Sequence, residues 1–263
     1  MADKNAYFSV FVSGFYILLT GMICYWLRQV IGRFFRYKTF PTKDLLLEVV
    51  ATAELCASCY ELIIVADNWG VYAYGVALYI LTIWWSLNWD DASACPYTHL
   101  EDVAERRSNL LIALFKIGAE LLGGYIIIKY IQLLWSLEIA HVHVGQANTV
   151  YNCQADLQVP VLLGMLVEGV ATFLCRFMSR VFAEKVPKLS MILDATFGTL
   201  LVVAAFSYSG GYFNPALAGS LKYGCTGHTV TEHLVVYWLS PTIGSLLSVF
   251  AFNRMQASKI KRD

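Results

Sequence analysis

Long stretches almost without charge limit what this chain can fold into more than any other feature. Residues 5–27, 68–89, 195–221 and 234–253 contain no Asp, Glu, Lys or Arg. Three further stretches are apolar with few charges: 45–66 holds Glu48, Glu54 and Glu61, 109–135 holds Lys116, Glu120 and Lys129, and 157–175 holds only Glu168. About 20 consecutive apolar residues suffice for a helix to cross a bilayer, so seven spans are expected. Composition agrees: 58% of residues are hydrophobic and 14% charged, against about 25% charged in a soluble domain. Lys and Arg (19) balance Asp and Glu (19), which excludes the basic footprint of a nucleic-acid binder. The dispersed prolines and glycines exclude a collagen-like or disordered chain.

The first stretch has two readings, a cleaved signal peptide or a retained helix. Only Lys4 precedes it, whereas Arg28, Arg33, Arg36, Lys38 and Lys43 follow it. A signal peptide carries its positive charge in front, so a retained helix is expected. Lys and Arg concentrate in cytoplasmic loops. With residues 28–43 cytoplasmic and the spans alternating, 15 of the 19 basic residues fall on that side. The N-terminus is then outside or luminal and the C-terminus cytoplasmic.

The chain also repeats itself. Glu48 and Thr52 form Glu-x-x-x-Thr near the start of one span, and Glu168 and Thr172 form it in another. Cys95-Pro96-Tyr97 begins 47 residues after Glu48, and Asn214-Pro215-Ala216 begins 46 residues after Glu168. Each half therefore reads Glu-bearing helix, second helix, x-Pro-x, short segment, third helix. An odd number of spans per copy places the second copy upside down, the inverted repeat of many channels and transporters. A carboxylate inside a membrane must be paired or hydrogen-bonded, so Glu48 and Glu168 are expected to accept bonds from non-helical backbone ahead of each short helix. Pro96 and Pro215 suit a first helical turn, where the missing N–H costs nothing. Two half-helix N-termini meeting near the midplane would oppose cations with their positive dipole ends.

These residues resemble the aquaporin family. Asn214-Pro215-Ala216 looks like its second signature motif, and the Glu-x-x-x-Thr helices and repeat spacing match it over about residues 44–253. Three departures are similar to the superaquaporin branch, the aquaporin eleven and twelve group. They are Cys95-Pro96-Tyr97 as first motif, Leu217 where water-selective members carry arginine, and an extra hydrophobic segment at the front. The strings from Leu47 to Leu62 and from Val236 to Pro241 also fit that group.

The resemblance implies an all-α membrane protein of three plus three transmembrane helices with two re-entrant half-helices and an extra N-terminal helix. The expected units are 1–43 (extra segment and basic linker), 44–137 (first repeat), 138–156 (luminal loop), 157–253 (second repeat) and 254–263 (basic tail). It further implies a homotetramer in an intracellular membrane, passing water, glycerol or hydrogen peroxide. In the family each motif asparagine points N–H donors into the pore. Asn214 can do so, whereas Cys95 offers only a weak S–H donor. Tyr97 either narrows the pore or replaces the lost donor with its hydroxyl. The selectivity filter falls on Val202, Gly211 and Leu217, with the fourth place at Tyr74 or Gly75. Such a filter is mostly apolar, which favours small neutral solutes and slows water by dewetting.

Other polar residues receive plainer readings. Cys56 and Cys59 have redox-like spacing but lie within a span, where packing is expected, as for Cys24 and Cys175. Cys153 and Cys225 both fall in non-cytoplasmic loops, where an oxidising lumen permits a disulfide. His141 and His143 read as a solvated loop, Glu101, Asp102 and Glu105 beside Arg106 and Arg107 as a solvated edge or ion pairs, and Lys116–Glu120 as an i,i+4 pair. Lys259 and Lys261, third and fifth from the end, resemble a cytosolic dilysine retrieval signal of the endoplasmic reticulum. No cofactor, metal site or nucleophile–base pair is expected, so the chain does not read as an enzyme. A passive channel is the leading expectation. A non-conducting scaffold occluded at Tyr97 and Leu217 is the alternative, and a coupled transporter using Glu54 or Glu120 is a third.

Overall fold

The computed structural model describes residues 2–35, 42–150 and 152–260, with side chains over 7–35, 42–150 and 152–258. The proposed tail signal falls outside them: Lys261 is not described, nor is the side chain of Lys259. The described chain is helical: α1 (Ala2–Phe34), α2 (Thr42–Asn88), α3 (Pro96–Ala104), α4 (Leu110–Trp135), α5 (Gln146–Thr149), α6 (Val161–Lys185), α7 (Ser190–Ser209), α8 (Pro215–Lys222), α9 (Val230–Leu234) and α10 (Ser240–Ile260). A 3₁₀ turn lies at His141–His143, and a π-helical turn, Val235–Leu239, joins α9 to α10.

Among the described residues six helices are long and apolar enough to cross a membrane. The seven expected runs become six because the second and third belong to α2, whose 47 residues would reach about 70 Å if straight. Gly70 breaks it, with φ 83° and ψ 168°, a conformation that side chains disfavour. Glu54 meets Trp84 and Trp89, and Glu48 meets Ser93. These pairs centre near residue 70, so the two arms of α2 run antiparallel. The uncharged run 195–221 is likewise not one helix: α7 stops at Ser209 and α8 starts at Pro215.

Apolar side chains cover the outer surface. Phe11, Leu18 and Trp26 of α1, Leu111 and Tyr125 of α4, Leu162 of α6 and Phe250 of α10 are all exposed. Surface of this extent suits lipid and not water.

The interior holds carboxylates. Glu48, Glu54, Glu61, Glu101, Glu120 and Glu168 are each at most 1% exposed. Glu54 is held by Arg28 of α1 at 2.5 Å and by the indoles of Trp84 and Trp89 at 2.9 and 3.0 Å. With the Tyr16 hydroxyl donating to the Leu134 carbonyl (3.1 Å), this pair fastens α1 to α2 and α4.

Three sequence readings need correction. His143 is not solvated; it is fully buried, 3.1 Å from Glu61, which also accepts from the Trp135 indole. His141 alone of the two is exposed. For Glu101 the ion-pair reading holds and the solvated edge does not: it is buried and accepts from Arg176 at 2.8 and 2.6 Å, Arg180 at 2.8 Å and Ser245 at 2.5 Å, not from Arg106 or Arg107. Glu120 turns to His99 at 3.0 Å, and Lys116 instead lines an adjoining cavity with Asp44 and Glu48. In each case the partner comes from a different helix, beyond the reach of local spacing.

Two close crossings occupy matching places. A Cβ added at Gly123 of α4 would overlap the Val49 carbonyl, and one added at Gly244 of α10 would overlap the Gly169 carbonyl. Val49 follows the buried Glu48, and Gly169 follows the buried Glu168. Small residues let membrane helices approach this closely. Gly244→Ala is expected to cost about 1–3 kcal/mol by overpacking, seen as a lower melting temperature of the purified protein. An unchanged melting temperature would count against the crossing.

Candidate pore and its constriction

The two x-Pro-x segments adopt the same local structure. Cys95 caps α3 with φ −148° and ψ 115°, and Asn214 caps α8 with φ −148° and ψ 113°. The residues just before them, Ala94 and Phe213, have positive φ of 50° and 47°. That turn leaves two backbone amides without a helical partner on each side. Glu48 Oε2 accepts from Ser93 N and Ala94 N, both at 3.0 Å. Glu168 accepts from Tyr212 N at 3.2 Å, Phe213 N at 2.7 Å and the Ser209 hydroxyl at 2.6 Å. The buried carboxylates thus satisfy donors that would otherwise be orphaned. Thr172 bonds back to the Glu168 carbonyl at 2.7 Å; the Thr52 hydroxyl has no partner among the described residues.

The two turns are tied together. Asn214 Oδ1 accepts from the amides of Ala216 (3.0 Å) and Leu217 (3.3 Å), while its Nδ2 donates to the Ala94 carbonyl at 2.7 Å. In the other direction the Tyr97 hydroxyl donates to the Phe213 carbonyl at 2.8 Å. Tyr97 is buried and lines neither of the cavities described below. Of its two sequence readings, the structure gives neither: the ring joins the two loops. Removing that hydroxyl in Tyr97→Phe leaves a buried carbonyl short of one donor and is expected to cost about 1–2 kcal/mol. Thermal unfolding measures it, and equal stability would remove Tyr97 as a tie.

Two cavities share part of their walls, and Asn214 lines the smaller of them. One, of about 340 Å³, includes Asp67, Asp156 and Gln158 in its wall. The other, of about 190 Å³, is lined by Val202 and Asn214 together with Leu55, Leu78 and Thr82. Cys59, Tyr74, Gly211, Tyr212 and Leu217 border both, and so form the collar between them. Among the described residues no Lys or Arg lines either cavity.

Sequence reasoning places Tyr74, Val202, Gly211 and Leu217 in one filter, and the structure brings these four to one place. Gly75 is a correction. It faces α7, where an added Cβ would lie 2.9 Å from Val203 Cγ2, so it serves packing. Gly211 has φ +65°, and a Cβ there would sit 2.8 Å from the Val202 carbonyl, so only glycine suits this corner of the collar. Cys95 is buried and borders neither cavity, while Pro96, Pro215 and Ala216 are packed within the two short helices.

Two collar residues escape sequence reasoning. Cys59 reads as a packing thiol because its Cys-x-x-Cys spacing says nothing of which face it occupies. Tyr212 sits in a loop, and its hydroxyl bonds Asp156 at 2.5 Å. Asp156 also pairs with Lys222 at 2.9 Å, which neutralises charge at this mouth. Nearby, Cys153 and Cys225 are joined by a disulfide, which ties the loop after α5 to the loop after α8.

No family model matches the chain. It is 31% identical over 212 residues to aquaporin-12 of Mus musculus, covering 76% of this chain and 71% of the relative. It is 26% identical over 202 residues to aquaporin-11 of Milnesium tardigradum, covering 77% and 73%. For aquaporin-11 of Homo sapiens the values are 27% over 209 residues, covering 79% and 76%. Among solved structures, the aquaglyceroporin from Plasmodium falciparum shares the fold with a TM-score of 0.54 at 12% identity, covering 93% of this chain and 99% of that one. The fold, the six apolar helices and these relatives agree: the chain is a multi-pass membrane protein, not an enzyme, and belongs to the aquaporin family.

Proposed function

We propose that this membrane channel passively conducts small uncharged solutes, glycerol and hydrogen peroxide among them, with water slower. The observation that carries this reading is the pair of cavities meeting at the collar of Cys59, Tyr74, Gly211, Tyr212 and Leu217, next to the Asn214 amide. One Nδ2 hydrogen of Asn214 is spent on the Ala94 carbonyl, which leaves its second for a passing oxygen. The collar offers no fixed cation, so polar solutes cross mainly by dispersion and a few hydrogen bonds. Cations are opposed by the N-termini of α3 and α8.

In this reading α3 and α8 are re-entrant half-helices of an inverted repeat. The first copy is α2 and α4 around α3, and the second is α6, α7 and α10 around α8. α1 is an additional span, fastened by Arg28 and Glu54. The linker after α1 is cytoplasmic, and the disulfide faces the lumen. The matched Glu48 and Glu168 cradles and the matched cap dihedrals support this arrangement. An endoplasmic-reticulum location with Lys259 and Lys261 as retrieval signal, and a homotetramer with one pore per subunit, complete the proposal. A coupled transporter is less well supported, since Glu54 is bound by an arginine and two indoles.

Cys59 provides the test of the path. A small thiol-reactive mercurial added to proteoliposomes is expected to stop solute flux by occupying the collar. Cys59→Ser should conduct normally and lose the sensitivity. Equal inhibition of both proteins would place the path elsewhere.

A further inference from the structure

One buried cluster extends beyond the channel reading, which uses only Oε2 of its Glu48. Glu48 of α2, His99 of α3 and Glu120 of α4 come together with their ligand atoms within 4.8 Å of one another. His99 Nε2 lies 3.0 Å from Glu120 Oε1 and 3.4 Å from Glu48 Oε1. Ser93 Oγ lies 3.3 Å from both His99 Nε2 and Glu120 Oε1. The three side chains are at most 4% exposed. Glu48 Oε1 and Glu120 Oε2 are buried and make no hydrogen bond among the described residues.

Two carboxylates in one buried pocket repel; the His99 imidazole offsets at most one of their charges, and the Lys116 ammonium acts on Glu120 only from the adjoining cavity wall. Carboxylate oxygens without a donor add a further cost. A divalent cation relieves both at once. Zinc takes nitrogen and oxygen ligands at about 2.0–2.1 Å in a tetrahedron, whose edges are then ~3.3 Å. The 3.0 and 3.4 Å separations around His99 Nε2 are edges of that size. There is also a way in. Glu48 forms part of the wall of a cavity of about 430 Å³, with Asp44, Asp90, Asp91, Lys43 and Lys116. Its four carboxylates against two ammonium groups draw cations toward the cluster.

We propose that Glu48, His99 and Glu120 bind one zinc-class divalent cation, with the fourth position shared between Ser93 Oγ and solvent. Glu48 Oε2 already holds the amides of Ser93 and Ala94. The bound ion therefore fixes the start of α3, and with it the first motif, to α2 and α4.

The test uses the full chain, purified in detergent and stripped with a chelator. Zinc is titrated by calorimetry, and cobalt by absorption. The expected result is one ion per chain, a strong tetrahedral cobalt spectrum and a raised melting temperature. Glu120→Gln and His99→Gln should each weaken binding by roughly tenfold or more, while His141→Ala, at an exposed imidazole, leaves it unchanged. If the variants do not fold, the wild-type spectrum decides: tetrahedral with mixed nitrogen and oxygen ligands supports the site. No stoichiometric ion, an octahedral spectrum, or unchanged affinity in both folded variants would overturn it and leave a proton-sharing triad. The readout is binding, so loss of the solute-channel reading would not touch it.

Discussion

Glu168→Ala should lower stability by roughly 5 kcal/mol, since it strands two buried amides and a hydroxyl at about 1–3 kcal/mol each. Glu168 is fully buried and accepts from Ser209, Tyr212 and Phe213. Among the described residues no other group takes those bonds, and residues 210–214 are neither helix nor strand. The turn also holds Phe213 at positive φ, a conformation that persists only when its surroundings enforce it. The melting temperature of the detergent-solubilised protein should fall by more than about 10 °C. Glu168→Gln keeps the volume and one acceptor, and should fall between the two. Wild-type melting of the alanine variant would mean that the carboxylate does not hold the loop.

Leu217→Trp should reduce solute flux by at least roughly tenfold, closing the collar without disturbing the loops. Leu217 borders both cavities, and only its backbone amide bonds Asn214. A larger ring there must fill the smaller cavity of about 190 Å³ from one side. The opposite wall contains Tyr74, braced against Phe206 with ring centroids 5.0 Å apart, so it cannot easily retreat. Dispersion and overlap decide such a site, since cores packed this closely do not yield to added atoms without strain. The measurement is glycerol efflux from proteoliposomes containing equal amounts of folded variant and wild type. Undiminished efflux through Leu217→Trp would remove the collar from the path.

What could be read from the sequence follows a physical division. Uncharged runs report membrane helices because a bilayer penalises charge residue by residue, which needs no knowledge of partners. Glu48 and Glu168 stood out because a carboxylate in such a run demands an explanation. Motif and spacing led to the family. The long-range partners stayed hidden. His143 lies in a short loop, and its acceptor Glu61 is 82 residues away. Glu101 finds Arg176 across 75 residues, while nearby Arg107 pairs instead with Asp102 and Glu105. Tyr97 reads as a pore residue because it replaces a small one. Its ring packs between loops because the Phe213 carbonyl, left free by the turn, is within reach of its hydroxyl. Gly75 and Tyr74 differ by one position, about 100° on a helix, and sequence could not tell which of them faces α7.

The most direct measurement is stopped-flow light scattering of proteoliposomes carrying the folded wild-type protein. They should take up glycerol well above empty liposomes, with water flux raised less, and with no accumulation against a gradient. Glycerol and peroxide permeabilities equal to those of empty liposomes would contradict the account.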